Sequence, residues 1–251
     1  MSLAPHTLAR VYWRCLFLQA AWNPRGMQNL GFAYAIDPAL RDLYPDPQAR
    51  QAALARHMGF FNSHPYMAAA IVGGAIHHEE RVARGEETAD QPLAYKATLQ
   101  GPLAAVGDGF FWTALRPLFG AAAAAGALAF GWPALLAAVL LYNAIHLWLR
   151  YRLLRDGYRH GDEVVLDIRG LSLPSWAERV RLGAAVATGA AAALLVARAA
   201  SEAGAAGAAL SACALLAAYL ALGRKVPLLP LAYAALAAGV ALGLLGAQGG
   251  S

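Results

Sequence analysis

The stretch GPLAAVGDGFFW, residues 101–112, places one aspartate, Asp108, between two glycines in an otherwise apolar run. A carboxylate facing lipid is costly, so acids within membrane segments face a bundle interior or a wet cavity. Gly107 and Gly109 allow the backbone to break and to approach a neighbour closely. Broken helices at membrane depth are tolerated where they line a cavity or are buried in protein. One reading is therefore a discontinuous segment beside a polar ligand path. The other is simpler: Asp108 stands just before FFWTALRP and suits the N-cap of a following helix.

The rest of the chain supports a membrane setting. Its 251 residues are 59% hydrophobic and 14% charged, whereas soluble domains carry about a quarter charged residues. The net charge is +5, with most Lys and Arg before residue 182. No basic run interleaves with a polar surface, which argues against nucleic acid and fits headgroup contacts and cytoplasmic loops. Cys15 and Cys213 imply neither a disulfide framework nor a metal site. Arg10 and Arg14 interrupt what a signal peptide would need as its apolar core, so an uncleaved chain inserted by its internal helices is expected.

Outward from residue 101, the pattern predicts an all-α, polytopic membrane protein with amphipathic, re-entrant and broken helices. Residues 6–20 have helical spacing, with Arg10 and Arg14 one turn apart. This helix suits the bilayer interface or packing on its own domain. Pro38 and Pro47 each follow an aspartate, which predicts short helices over 38–43 and 47–61. Residues 65–76, PYMAAAIVGGAI, are apolar but too short for a span of about 20 residues. They fit a re-entrant or half-crossing segment, or a buried core helix. Apolar helices follow over 113–130 and 133–149, with Gly131-Trp132-Pro133 read as a tight hairpin and a kink as its rival. A polar, arginine-rich loop is expected over 150–181, then spans over 182–200, 207–222 and 227–247. The alanine and glycine of these spans fit close helix packing or plain composition bias. The domain division is 1–65, 66–181 and 182–251. The positive-inside rule puts loop 150–181 and Arg224-Lys225 in the cytoplasm, and the 131–133 hairpin and the turn near Glu202 outside.

Polar residues flank the short apolar segment. Asn62 and His64 precede it and His77, His78, Glu79 and Glu80 follow it. A segment entering and leaving at one face brings these ends together, where amides, carboxylates and aromatic rings suit a sugar. A solvated helix end is the alternative for 77–80. The spacing matches neither HExxH nor another zinc pattern, so no metal is expected. Arg116 lies two turns beyond Asp108 and fits either a buried pair with it or a headgroup contact. No GxSxG, Walker loop or CxxC is present, so no catalytic centre and no cofactor are expected.

The segments AWNPRGMQNLGFAYAIDPALRDLYPD, HMGFFNSHPYMAAAIVGG, HHEE, LQGPLAAVGDGFFWTALRPLF and RDGYRHG, in this order, resemble the IID membrane subunits of the mannose-type sugar phosphotransferase system. The resemblance covers roughly residues 10–160. It implies a multi-pass subunit of the bacterial inner membrane that pairs with a IIC subunit in a trimer of heterodimers. It also implies conduction of a hexose that cytoplasmic IIA and IIB phosphocarriers, relaying phosphate, phosphorylate, with no phosphorylated residue in this chain. By this resemblance Asn62, His64, Glu79, Gln100 and Asp108 line the translocation path or the subunit contact. Glu80, Gly101, Pro102, Gly107, Trp112 and Arg116 are structural or contact residues. The chain departs from the family pattern in a shortened polar segment after residue 200, in Ala105 where glycine is expected, and in His64 where some members have glutamine. A regulatory or receptor-type protein with this fold and without transport is the alternative function.

Overall fold

The computed structural model describes residues 3–224 and residue 233. All regular elements among them are helical. They are α1 (Pro5–Cys15), α2 (Asn29–Leu43), α3 (Pro47–His57), α4 (Ala68–Ala83), α5 (Gln91–Gly107), a π-helical segment (Asp108–Leu115), α6 (Arg116–Phe130), α7 (Trp132–His160), α8 (Val164–Gly170) and α9 (Leu173–Gly223). One compact unit reaches to Ala187 and a second begins at Thr188.

The centre of the first unit is α4. Ala68 through Ile76 are all buried, and a helix apolar on every side is buried on every side. Its small residues set how closely the neighbours approach. A Cβ on Gly73 would stand 2.2 Å from the carbonyl oxygen of Leu154 in α7, and one on Gly157 would stand 2.3 Å from that of Ala70. The two backbones are thus in contact through reciprocal glycines, as small-residue helix packing requires. On another side Gly74 leaves room for the Tyr95 ring of α5. The apolar run at 65–76 is the front of this core helix, which continues through His77–Glu80 to Ala83 without turning back.

Local chemistry explains the helix starts. Asp46 caps α3, its Oδ2 accepting from the Ala49 N–H at 2.8 Å, with Pro47 in the first turn. Pro38 does not start a helix as predicted; it lies inside α2. A proline there removes the N–H that would bond the Tyr34 carbonyl. Arg14 of α1 replaces it, donating to Tyr34 O at 2.9 Å while pairing with Asp37 at 2.9 Å. The sequence pattern gave proline its usual place at a helix start, and a tertiary contact overrode it. Helix α1 buries Thr7, Val11 and Cys15 and leaves Trp13 exposed.

Gly131, at φ +78° and ψ −163°, joins α6 to α7 in a tight hairpin. Phe119 meets Tyr142 across it, with ring centroids 5.6 Å apart. The region 150–181 is not a loop: α7 carries its arginines to His160, and α8 and the start of α9 follow. Helix α9 is interrupted at Ala203 and Gly204, the latter at φ +65°, within the predicted short turn. The predicted span at 227–247 lies outside the described residues.

Gln91–Phe130 and Trp132–Leu220 are helical stretches long and apolar enough to cross a membrane. The protein is an all-α membrane protein.

Candidate functional site

His64 sits in the turn before α4, buried to 1% exposure. Its ring stacks on Phe111 at 5.0 Å and 14°, and lies 4.6 Å from Trp112 and 5.0 Å from Tyr66. Gly107 is glycine because the imidazole fills its side-chain position; a Cβ there would be 2.3 Å from His64 Cγ. The π-helical turn matters here. More residues per turn mean less rotation per residue, so the adjacent Phe111 and Trp112 both reach the same ring. Segments of this kind recur at functional sites. Burial, reinforced by the Arg150 charge, pushes His64 down to about 3, so its ring is neutral. Nδ1 accepts from the Tyr66 N–H at 3.2 Å, which leaves the proton on Nε2, buried without a partner.

The aromatic cluster continues to α7. Tyr66 stacks on His146 at 4.4 Å and 8°, and Arg150 lies over the other ring partner, 4.9 Å from the Tyr66 centroid. Arg116 stacks on Trp112 at 4.6 Å. Beside them Asn62 is exposed, and its N–H donates to Gln100 Oε1 at 3.1 Å. Gln100, Ala104 and Asp108 stand at successive turns and share a face. Next to that face, a Cβ on Gly101 or Gly109 would meet nothing within 4 Å.

Three expectations about Asp108 are corrected. The backbone does not break there: α5, the π-helical segment and α6 form one helix of 40 residues, and Asp108 keeps φ −61° and ψ −44°. Nor does its carboxylate cap a helix, and it makes no ion pair with Arg116 among the described residues. Gly107 is required by the His64 contact, and neither glycine forces a break. Pro102 is accommodated as an exposed interior residue of α5.

Glu79 and Glu80 lie elsewhere. Ala68 and Glu79 are separated by about 16 Å of helix rise, so α4 holds the two flanking groups apart at its opposite ends. Glu79 is fully buried and saturated. Arg56 donates from Nε to Oε1 at 2.7 Å and from Nη2 to Oε2 at 2.6 Å. His57 Nε2 lies 2.7 Å from Oε1, and the Tyr44 hydroxyl donates to Oε2 at 2.7 Å. Burial alone would raise this carboxyl, but the bonds from Arg56, His57 and Tyr44 outweigh it and hold it down to about 2. Burial lowers His57, leaving it a neutral donor. Glu80 accepts from the Tyr158 hydroxyl at 2.7 Å and pairs with Arg84. Residues 78–80 are therefore buried, and the solvated helix end is not what forms.

The structure thus brings Asn62, His64, Gln100, Gly107, Trp112 and Arg116 together, with Asp108 adjoining. Sequence reasoning missed Tyr66, Phe111, His146 and Arg150. A signal existed for two of them: Asn143, His146 and Arg150 recur at steps of three and four inside an apolar helix, which marks a polar stripe.

The family profile described as "PTS system mannose/fructose/sorbose family IID component" matches residues 2–197. The mannose-specific EIID component of Escherichia coli K12 is 38% identical over 171 residues, 67% of this chain and 60% of that protein. The fructose permease IID component of Bacillus subtilis 168 is 35% identical, over 64% and 58% of the two chains. The chain therefore spans about 60% of the length of these curated relatives. A solved membrane-protein structure overlays with a TM-score of 0.67 at 36% identity, covering 78% of this chain and 71% of that one. A chain from the cryo-EM structure of mannose transporter ManYZ with microcin E492 overlays at a TM-score of 0.62 and 29% identity, over 96% of each chain. The order of motifs, the helical architecture and the profile match converge: the chain belongs to the IID components of the mannose/fructose/sorbose family of the phosphotransferase system.

Proposed function

We propose that the chain is the IID subunit of a sugar permease, a multi-pass protein of the bacterial inner membrane. It pairs with a IIC subunit, as a trimer of heterodimers, to pass a hexose to cytoplasmic IIB, which receives its phosphate from IIA. The observation that carries this reading is the overlay on a mannose-transporter chain along 96% of both chains. The exposed strip of α5 suits the path or the subunit contact. Gln100 and Asp108 supply polar groups, Asn62 adjoins them, and open glycines at 101 and 109 admit another backbone closely. His64, Gly107 and Trp112 back this strip from inside, and Arg116 covers Trp112. Glu79 and Glu80 anchor the far end of α4, and their role is structural.

Relatives carry mannose, fructose and sorbose in their names, so the test is uptake of these three labelled sugars by cells expressing all four components. Omitting this chain alone is expected to abolish uptake and phosphorylation of at least one. Uptake undiminished without it for every sugar refutes the transport role.

A further inference from the structure

Arg150 is a buried cation of the first unit. It is 4% exposed, yet it forms no ion pair among the described residues. Its guanidinium has five N–H donors. Among the described residues they make one hydrogen bond, a long one from Nη1 to the Cys15 carbonyl at 3.4 Å, and Nε is buried without a partner. A buried guanidinium is normally matched by an acid, because desolvating it alone is costly. The Tyr66 ring at 4.9 Å offers some compensation through its π face, but no formal negative charge.

Arg150 lines a cavity of about 500 Å³ between the end of α1, the turn at Pro65-Tyr66, the π-helical segment and α7. Arg116, on its exposed side, contributes a second guanidinium. Asn143 and His146 are bonded within α7: Asn143 Nδ2 donates to the Val139 carbonyl at 2.8 Å, and Asn143 Oδ1 accepts from His146 Nε2 at 3.0 Å. No carboxylate is among the lining residues. Two guanidiniums around one space that holds no carboxylate describe an oxyanion site, and the planar fork of arginine matches phosphate oxygens in particular.

The position on α7 indicates where such a phosphate comes from. Trp132 is 72% and Trp148 58% exposed, and they lie about 24 Å apart along the helix. Leu136, Leu140 and Leu141 are exposed between them. That spacing approaches the hydrocarbon thickness of about 30 Å, with tryptophans at the two interfaces where they concentrate. Arg150 is half a turn beyond Trp148, at headgroup depth. We propose that this cavity binds the phosphodiester of an anionic phospholipid, held by Arg150 and Arg116.

The test uses the full chain purified with its IIC partner in neutral detergent and native mass spectrometry, titrating phosphatidylglycerol, phosphatidylcholine and inorganic phosphate. Phosphatidylglycerol is expected to be retained at least about tenfold more tightly than phosphatidylcholine. Arg150→Gln, which keeps an amide for the Cys15 carbonyl, is expected to remove that preference, a loss of about tenfold for a charge-assisted bond. Because Arg150 is in the core, Arg116→Gln at the exposed rim gives an independent reading and is expected to weaken retention about threefold to tenfold. Displacement of the lipid by millimolar phosphate upholds the oxyanion site and moves its source to soluble phosphate. Equal retention of both lipids, or full preference in both variants, overturns the proposal. So does loss of the IIC partner in Arg150→Gln with lipid retention intact, since a partner carboxylate then supplies the missing charge.

Discussion

Gly73→Ala tests the packing that organises the first unit. The added Cβ would stand 2.2 Å from Leu154 O and 2.8 Å from the Tyr158 nitrogen, both backbone atoms that no rotamer change can move. Relief requires α4 and α7 to part by roughly 1 Å, which forfeits a quarter to a half of each dispersion contact along the seam. Overpacking costs about 1–3 kcal/mol, and rigid obstacles place this site at about 3. Alanine returns up to about 1 kcal/mol of helix propensity, leaving a net loss of about 2 kcal/mol. For a chain of this size that is a fall of roughly 4–8 °C in thermal midpoint, read by size-exclusion recovery after heating in detergent. Gly157→Ala meets Ala70 O at 2.3 Å and strains the same seam. The double variant is therefore expected to lose less than the sum of the singles, by about 1 kcal/mol. Gly101→Ala, in open space on α5, is the control and is expected to hold or raise the midpoint. A Gly73→Ala midpoint within 2 °C (about 0.5 kcal/mol) of the parent refutes the reciprocal-glycine contact.

Glu79→Ala removes the acceptor of half-buried Arg56 and buried His57 and is expected to cost about 3 kcal/mol, measured as the same thermal midpoint. With the folded carboxyl held down to about 2 and an unfolded value of about 4.3, the Glu79 contribution is fully present above the unfolded value. It is lost as pH falls through the folded one, so a parent midpoint limited by this group stays flat from pH 7 to about 5.5 and falls below that. Arg14→Ala leaves the Tyr34 carbonyl without the donor that Pro38 withholds, and is expected to cost about 1–2 kcal/mol. In a Pro38→Ala background, where a backbone N–H is restored, the Arg14→Ala cost is expected to shrink by about 1 kcal/mol in a double-mutant thermal cycle. Asp108→Asn is expected to lower sugar uptake at unchanged membrane levels; equal uptake removes the carboxylate from path and contact alike. Asn62→Ala is expected to raise the KM for the transported sugar, and an effect confined to co-purification of the IIC subunit assigns Asn62 to the contact.

What the sequence made legible follows the range of each signal. Composition and apolar runs report the solvent around a helix, so the membrane class, the hairpin at Gly131 and the interruption near Gly204 could be read directly. Proline and glycine report only what a backbone permits. Pro38 allowed a helix start and Gly107-Asp108-Gly109 allowed a break, yet α2 runs through the first and α5 continues into the π-helical segment across the second. In each case a distant group settles the outcome: Arg14 satisfies the carbonyl that Pro38 leaves open, and the His64 ring occupies the space beside Gly107. Neither partner lies within a helical turn in sequence, so no local periodicity carries the information. The charged residues at 77–80 were misread for a similar reason. Their composition suits solvent, and only Arg56, His57 and Tyr44, brought over from α3 and the end of α2, make burial of Glu79 tolerable.

The two buried polar sites on α4 differ in a way that bears on function. At its C-terminal end every oxygen of Glu79 is bonded, which fixes α2 and α3 against α4 and leaves nothing for a ligand. Near its N-terminal end, His64 Nε2 and Arg150 Nε are buried donors without a hydrogen-bond partner. Buried polar groups in folded proteins are almost always paired, and an unpaired one costs its full desolvation penalty. The Glu79 carboxylate is answered from within the chain, whereas the Arg150 guanidinium has no carboxylate partner among the described residues. Under the proposed lipid site that counter-charge is a phosphodiester, so the Arg150→Gln titration decides whether the cation is answered from outside the chain.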